Sequence, residues 1–178
     1  MKALIIYGTR GGSTKQIAGA IGKVFDEQGF TVTIINAKDS KKTDAKAYDI
    51  VVIGSSVWAS AWTRQTMGFM KRNQKILESK KVAVFWSGWA GDEPVDQNLI
   101  DKSIAKVTDA FPGIKPLGKA YFGSYTSFGS WNPIARIACN VMKKEYEKKG
   151  IDTSKPVDRR DWNAIRLWAE DVARKAKA

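Results

Sequence analysis

Residues 2–14 read KALIIYGTRGGST. Lys2–Tyr7 is a short apolar run rich in β-branched residues and predicts a strand. Gly8–Thr14 has the small, hydroxyl-bearing composition of a turn. Beyond it, Ile17, Ala20, Ile21, Val24 and Phe25 recur at helical spacing, and Gly29 marks a stop. A strand, a glycine-rich turn and an amphipathic helix in that order form the first half of a βαβ unit, from which parallel sheets are built.

The alternation continues along the chain. Thr31–Asn36 (TVTIIN) predicts a second strand, and the lysine-rich Ala37–Ala47 a loop or a poorly formed helix. Tyr48–Gly54 (YDIVVIG) is apolar on both faces, as a central parallel strand requires. Thr63–Leu77 predicts a helix with Met67, Met70 and Leu77 toward the core, and Lys81–Trp86 (KVAVFW) a fourth strand. Leu99–Phe111 is helical, with Leu99, Ile104, Val107 and Phe111 on one side, and Pro112 ends it. Lys119–Tyr125 (KAYFGSY) predicts a fifth strand, and Asp161–Lys175 a final amphipathic helix containing Ile165, Leu167, Trp168 and Val172. The expected fold class is α/β: a three-layer sandwich around a five-stranded parallel sheet in the doubly wound order 2-1-3-4-5. The expected organisation is a single domain over 1–178, with an insertion at about 126–157 carrying an extra helical segment after strand five.

The 178 residues suffice for one domain with a sizeable core. A membrane-spanning helix needs about 20 apolar residues; runs such as Ala3–Tyr7 and Val82–Trp86 are far shorter. Met1-Lys2 leads directly into a strand without a signal peptide, so the expected location is cytoplasmic. Cys139 is the only cysteine and histidine is absent. These counts exclude an internal disulfide, a cysteine or histidine metal cluster and a Ser-His-Asp triad. No catalytic acid or base and no metal ligand is identified, which leaves the chemistry to a bound organic cofactor. The formal charge of +12, from 30 basic and 18 acidic residues, suits nucleic acid, anionic lipid or an acidic protein. It equally describes a solvated lysine-rich surface.

In open α/β sheets, ligands bind beyond the carboxyl ends of the strands, at the switch point between the first and third. Three loops belong there. Thr9, Arg10, Gly11, Gly12, Ser13 and Thr14 precede a helix, where free N–H groups, hydroxyls and the helix dipole suit a phosphate. The loop lacks the Gly-Lys-Ser/Thr of a nucleotide P-loop and the spacing of Gly-x-Gly-x-x-Gly; the plain alternative is a glycine turn capped by Ser13. After the third strand, Ser55, Ser56, Val57, Trp58 and Ala59 lead toward Trp62. A tryptophan in such a loop can stack on a flat ligand, while at least one of the pair is expected to pack beneath the loop. After the fourth strand come Ser87, Gly88, Trp89, Ala90, Gly91 and Asp92, with glycines that admit a flat ligand and a second aromatic wall.

TRGGST resembles the flavodoxin phosphate loop, of the form Ser/Thr-x-Thr/Gly-Gly-x-Thr, and GSSVW resembles the flavodoxin second loop with its ring-stacking aromatic. The resemblance covers roughly 1–125 and the last helix. It implies FMN, with the phosphate on Thr9 to Thr14 and the isoalloxazine between Ser55–Ala59 and Ser87–Asp92. It departs at Ala59, where flavodoxins usually have glycine, and in charge, since carrier flavodoxins are usually acidic. A looser resemblance, carried by the basic character, the segment after strand five and the ending VDRRDW at 157–162, is to the flavodoxin-like menaquinone-dependent protoporphyrinogen oxidases. That resemblance implies an FMN enzyme that oxidises a porphyrinogen and passes electrons to a quinone.

Pro133–Lys149 predicts a helix with Ile134, Ile137, Ala138, Val141 and Met142 near one face, and five basic residues against two acidic ones between Trp131 and Lys149. Such a helix can lie on an anionic membrane surface, cover the cofactor edge or meet a partner; the simplest expectation is that its apolar face packs onto the domain. Three readings follow. One is an FMN oxidoreductase acting on a porphyrinogen or quinone, peripheral at the inner face of the membrane. Another is an electron carrier between redox proteins. The third, a basic module binding nucleic acid, is not expected, because the tryptophans sit where a flavin belongs. A phosphoacceptor domain would need carboxylates where Gly8-Thr9 and Gly54-Ser55 stand, and a Cys-x5-Arg phosphatase loop is absent.

Overall fold

The computed structural model describes residues 1–58, 60–88, 96–129 and 133–178, with backbone alone for 133–135 and 138. Five parallel strands form the central sheet: β1 (Lys2–Gly8), β2 (Thr31–Asn36), β3 (Ile50–Ser56), β4 (Lys81–Ser87) and β5 (Pro116–Tyr121), in the order β2-β1-β3-β4-β5. The helices are α1 (Ser13–Glu27), α2 (Arg64–Arg72), α3 (Gln74–Leu77), α4 (Gln97–Ala110), α5 (Pro133–Lys148) and α6 (Trp162–Lys177). This is the expected flavodoxin-like three-layer sandwich.

Side chains alternate across the strands, so each strand feeds two cores. Ala3, Ile5 and Tyr7 of β1, Ile50 and Val52 of β3 and Phe85 of β4 pack under α1 and α6. Leu4 and Ile6, Val51 and Ile53, and Val82, Val84 and Trp86 pack on the opposite face under α2, α3 and α4. Burial on both faces is why these strands read as unbroken apolar runs.

Several boundaries differ from the sequence expectation. The lysine-rich stretch forms two short 3-10 turns, Ala37–Lys42 and Ala45–Ala47, each opened by an Asn or Asp side chain accepting a backbone N–H. The helix expected over Thr63–Leu77 breaks at Asn73, whose Nδ2 donates to the Phe69 carbonyl and competes with the helical ladder. The fifth strand is Pro116–Tyr121, not Lys119–Tyr125. It starts earlier because an edge strand tolerates a proline. It stops earlier because Gly123 takes a positive φ of 48°, in a position where the Arg159 carbonyl leaves no room for a Cβ. Tyr125–Thr126 (β6) then pairs antiparallel with Val157–Asp158 (β7), closing the insertion with a two-residue ribbon. In α6, Leu167 faces solvent, because Ile165, Ala169, Val172, Ala173 and Ala176 define the buried stripe.

Helix α5 is present; of its expected apolar face the side chains of Ile134 and Ala138 lie outside the description, Met142 turns to the protein, and Ile137 and Val141 do not. Ile137 and Val141 are 68% and 59% exposed. The side turned to the protein carries Cys139, Met142, Lys143 and Tyr146, of which Tyr146 is buried against Phe128 and Arg159. One buried aromatic set the helix rotation, and the two β-branched residues lie on the far side of the 3.6-residue repeat.

The ribbon is tied down by Arg160. Its guanidinium, 4% exposed, donates to both carboxylate oxygens of Asp158 and to Gln16 Oε1 of α1, and lies over the rings of Tyr125 and Trp162. The Arg160 hydrogen bond and charge hold the Asp158 carboxyl below its ordinary value. A depressed carboxyl contributes stability that is present above its unfolded value and lost as pH falls through the folded one. Asp158→Asn is therefore expected to lower stability near neutral pH and to flatten the acid side of the stability profile, as read by urea unfolding from pH 7 to 3.

Gly54 supplies a second check. A Cβ there would lie 2.1–2.7 Å from the buried Phe85 ring. Gly54→Ala is expected to cost about 1–3 kcal/mol in urea unfolding through overpacking.

Candidate functional site at the carboxyl edge of the sheet

The loop after β1 turns through Gly12, at φ 94°, a conformation that favours glycine. The Gly12 N–H donates to Thr9 Oγ1 at 2.8 Å, so Thr9 shapes the loop from within. α1 then begins with no side-chain cap and no acidic residue in its first turn. In contrast, Thr63, Asp96 and Asp161 cap α2, α4 and α6 with side-chain oxygens. The first N–H groups of α1 thus keep the positive end of its dipole uncompensated. Thr14 in that turn is fully buried, and its Oγ1 has no hydrogen-bond partner. A buried hydroxyl without a partner beside an uncapped helix end fits a phosphate that supplies the missing acceptor.

The loop after β3 is a tight hairpin. Trp58 and Ala61 exchange backbone hydrogen bonds of 3.1 and 2.9 Å, with Ser60 at φ 56°. The two tryptophans divide as expected. Trp58 is 54% exposed and presents an open aromatic face, whereas Trp62 is buried and its Nε1 donates to the Ser103 carbonyl at 3.0 Å. Val57 is buried, with its N–H donating to Ser87 O at 2.9 Å. Ser55 is fully buried in a hydroxyl cluster: it accepts the Thr63 N–H at 2.9 Å, and Thr63 Oγ1 lies 2.7 Å from Thr66 Oγ1. Its side chain caps the approach to α2. Ala59 lies outside the described residues.

In the loop after β4, Ser87 Oγ donates to the Gly123 carbonyl at 3.1 Å, which leaves it accepting from Ser13 Oγ at 3.2 Å. Gly88 N–H also donates to Gly123 O, and Tyr121 Oη donates to Gly88 O at 3.0 Å. Trp89, Ala90, Gly91 and Asp92 lie outside the described residues. Ser13 and Ser87 therefore bring the first and third loops together, and Val57 brings the second to the third.

Arg10 joins the first loop to the second. Its Nη1 donates to Ser56 O at 2.7 Å and to Ser56 Oγ at 3.2 Å, and its Nη2 to Ala61 O at 3.4 Å. Burial lowers its pKa from the ordinary guanidinium value. The direction of this side chain, onto the second loop, has no signal in the sequence. Neither does the role of Arg160, whose partner Gln16 lies 144 positions away. The Thr63–Thr66 pair does have one, a hydroxyl N-cap three residues before its partner.

An uncapped helix start with a buried, unpartnered hydroxyl and an exposed aromatic at the switch point of this sheet suit an FMN-binding protein of electron-transfer type. Comparison with known proteins agrees. Residues 4–154 match a flavodoxin-domain family model, and the chain belongs to the flavodoxin family, whose members bind FMN. It is 23% identical over 173 residues to the protoporphyrinogen IX dehydrogenase (quinone) of Escherichia coli (strain K12), covering 97% of this chain and 95% of that one. It is 30% identical over 92 residues to a flavodoxin of Maridesulfovibrio salexigens, covering 49% of this chain and 63% of that one. The solved flavodoxin of Streptococcus pneumonia TIGR4 superposes with a TM-score of 0.62 at 14% identity, covering 99% and 98% of the two chains.

Thr14→Ala removes a hydroxyl that has no protein partner, so the cofactor-free protein is expected to keep its urea midpoint. FMN affinity is expected to fall by about 1–3 kcal/mol, the size of a charge-assisted contact. Riboflavin, which lacks the phosphate, is expected to bind wild type and variant alike in flavin fluorescence titrations.

Proposed function

We propose that this chain is an FMN-dependent oxidoreductase that works at an anionic membrane surface, taking electrons from a reduced small molecule of the porphyrinogen class or exchanging them with a quinone. Helix α5 carries this reading. It arises from the same sheet edge as the cofactor loops, and it turns Ile137 and Val141 to solvent beside Arg136, Lys144 and Lys148. The similarity along nearly the whole chain to the E. coli dehydrogenase supports it. No helix among the described residues is long and apolar enough to cross a membrane, so the contact proposed is peripheral.

Bound FMN supplies the redox chemistry, accepting an electron pair and releasing it to an acceptor. Thr9, Gly11, Gly12, Ser13 and Thr14 hold the phosphate through the loop N–H groups, the helix dipole and the free Thr14 hydroxyl. Trp58 provides the stacking face. Ser55, placed in the hydroxyl cluster, fixes the second loop from below; Ser56 and Val57 position it through Arg10 and Ser87. No residue of the site is assigned a proton-transfer role. A second reading, supported by the charge of +12, is a carrier that exchanges electrons with acidic redox proteins.

Two partly inserted β-branched side chains and a few cations, at about 1 kcal/mol each, make a weak and salt-sensitive anchor. The protein is expected to sediment with phosphatidylglycerol vesicles at 50 mM salt, and not with phosphatidylcholine vesicles or at 500 mM salt. The pair Ile137→Glu and Val141→Glu is expected to abolish sedimentation and keep the FMN content. Turnover of a porphyrinogen with menaquinone in those vesicles supports the enzyme, whereas reduction only by protein donors supports the carrier.

A further inference from the structure

Arg10 combines three observations that phosphate binding does not use. Its guanidinium donates to the carbonyls of Ser56 and Ala61, which flank the Trp58 hairpin on either side, and to no group of α1 among the described residues. All of its partners are neutral, and among the described residues no carboxylate pairs with it. The site around it is built from hydroxyls and backbone, so nearby charge is not cancelled locally.

We infer that Arg10 is a positioning residue that fixes the Trp58 hairpin and sets the redox potential of the cofactor, by holding one unpaired positive charge at the ring end of the site. The inference rests on the FMN reading. Oxidised FMN that takes up two electrons and one proton becomes more negative by one unit at its ring system. A fixed cation at the base of the stacking hairpin therefore favours the reduced form over the oxidised one. The phosphate, whose charge is the same in both forms, contributes no such difference. Because the guanidinium is only partly buried, the effect is screened by salt.

The test measures the midpoint potential of protein-bound FMN, reduced stepwise by dithionite with mediator dyes, together with the dissociation constant for oxidised FMN. Arg10→Gln is expected to lower the ratio of reduced to oxidised affinity about tenfold, which is about 30 mV for a two-electron couple. The difference is expected to shrink at 0.5 M salt. Arg10→Lys, which keeps the charge and gives up the paired donors, is expected to recover most of the potential while still binding oxidised FMN more weakly than wild type. A merely structural arginine would weaken both redox forms equally and leave the midpoint in place. An unchanged midpoint in Arg10→Gln overturns the inference and leaves FMN binding intact. Wild-type protein that binds no FMN overturns the inference and the FMN reading together. Arg10→Met, also neutral, carries the same measurement if Arg10→Gln does not retain the cofactor.

Discussion

With α1 and α6 against one face of the sheet and α2, α3 and α4 against the other, its two faces are covered and its two ends are where loops gather. The five strands of this sheet are parallel, so β1, β3 and β4 release their chains side by side at the carboxyl end. Three loops are forced into contact there, and their backbone groups must find partners among themselves. The backbone bond from Val57 to Ser87 is one result; the Ser13 and Ser87 hydroxyls add a side-chain link, and Gly88 bonds to Gly123 in the segment after β5. The site is thus a consequence of the two cores, since a sheet open on one face would not confine the loops to one edge.

Within that edge the polar groups divide by whether they are already satisfied. Ser55, Thr63 and Thr66 bond to one another and brace the second loop, and Ser87 is held between Ser13 and Gly123. The Thr14 hydroxyl is left without a partner although it is fully buried, beside a helix start that no side chain caps. Such an unmet demand is costly in a protein interior, and it is the feature of this edge that suits a phosphorylated ligand. Arg10 spends its donors on the hairpin and keeps its charge.

The sheet and the glycine turn after β1 were legible in the sequence for physical reasons. A strand buried on both faces leaves an uninterrupted apolar signature, as in Val51–Ile53 and Val82–Trp86, and the turn needs glycine and hydroxyls in a fixed order. The edge strand β5 gave a weaker signature, because its residues are at most partly buried and its end is decided by a close approach of the distant Arg159 carbonyl. The break in the second helix at Asn73 depends on one side-chain bond to a carbonyl. The rotation of α5 was illegible because one contact, Tyr146 against Phe128 and Arg159, outweighs two β-branched residues in deciding which side faces the protein. The direction of Arg10 depends on partners far along the chain, and Arg160 adds to its neighbour Asp158 the distant Gln16, which periodicity does not encode.

The β6–β7 ribbon has a bearing on how this chain can change. Four residues, locked by Arg160, bring the two ends of a thirty-residue excursion to adjacent points on the body. Once those ends are fixed, the entropy of the enclosed chain grows only with the logarithm of its length, about 0.6 kcal/mol for each doubling. The excursion can therefore be lengthened, shortened or exchanged with little cost to the sheet or the loop after β1. The ribbon is in effect a graft point, at which a common electron-transfer body can acquire a new address without being rebuilt.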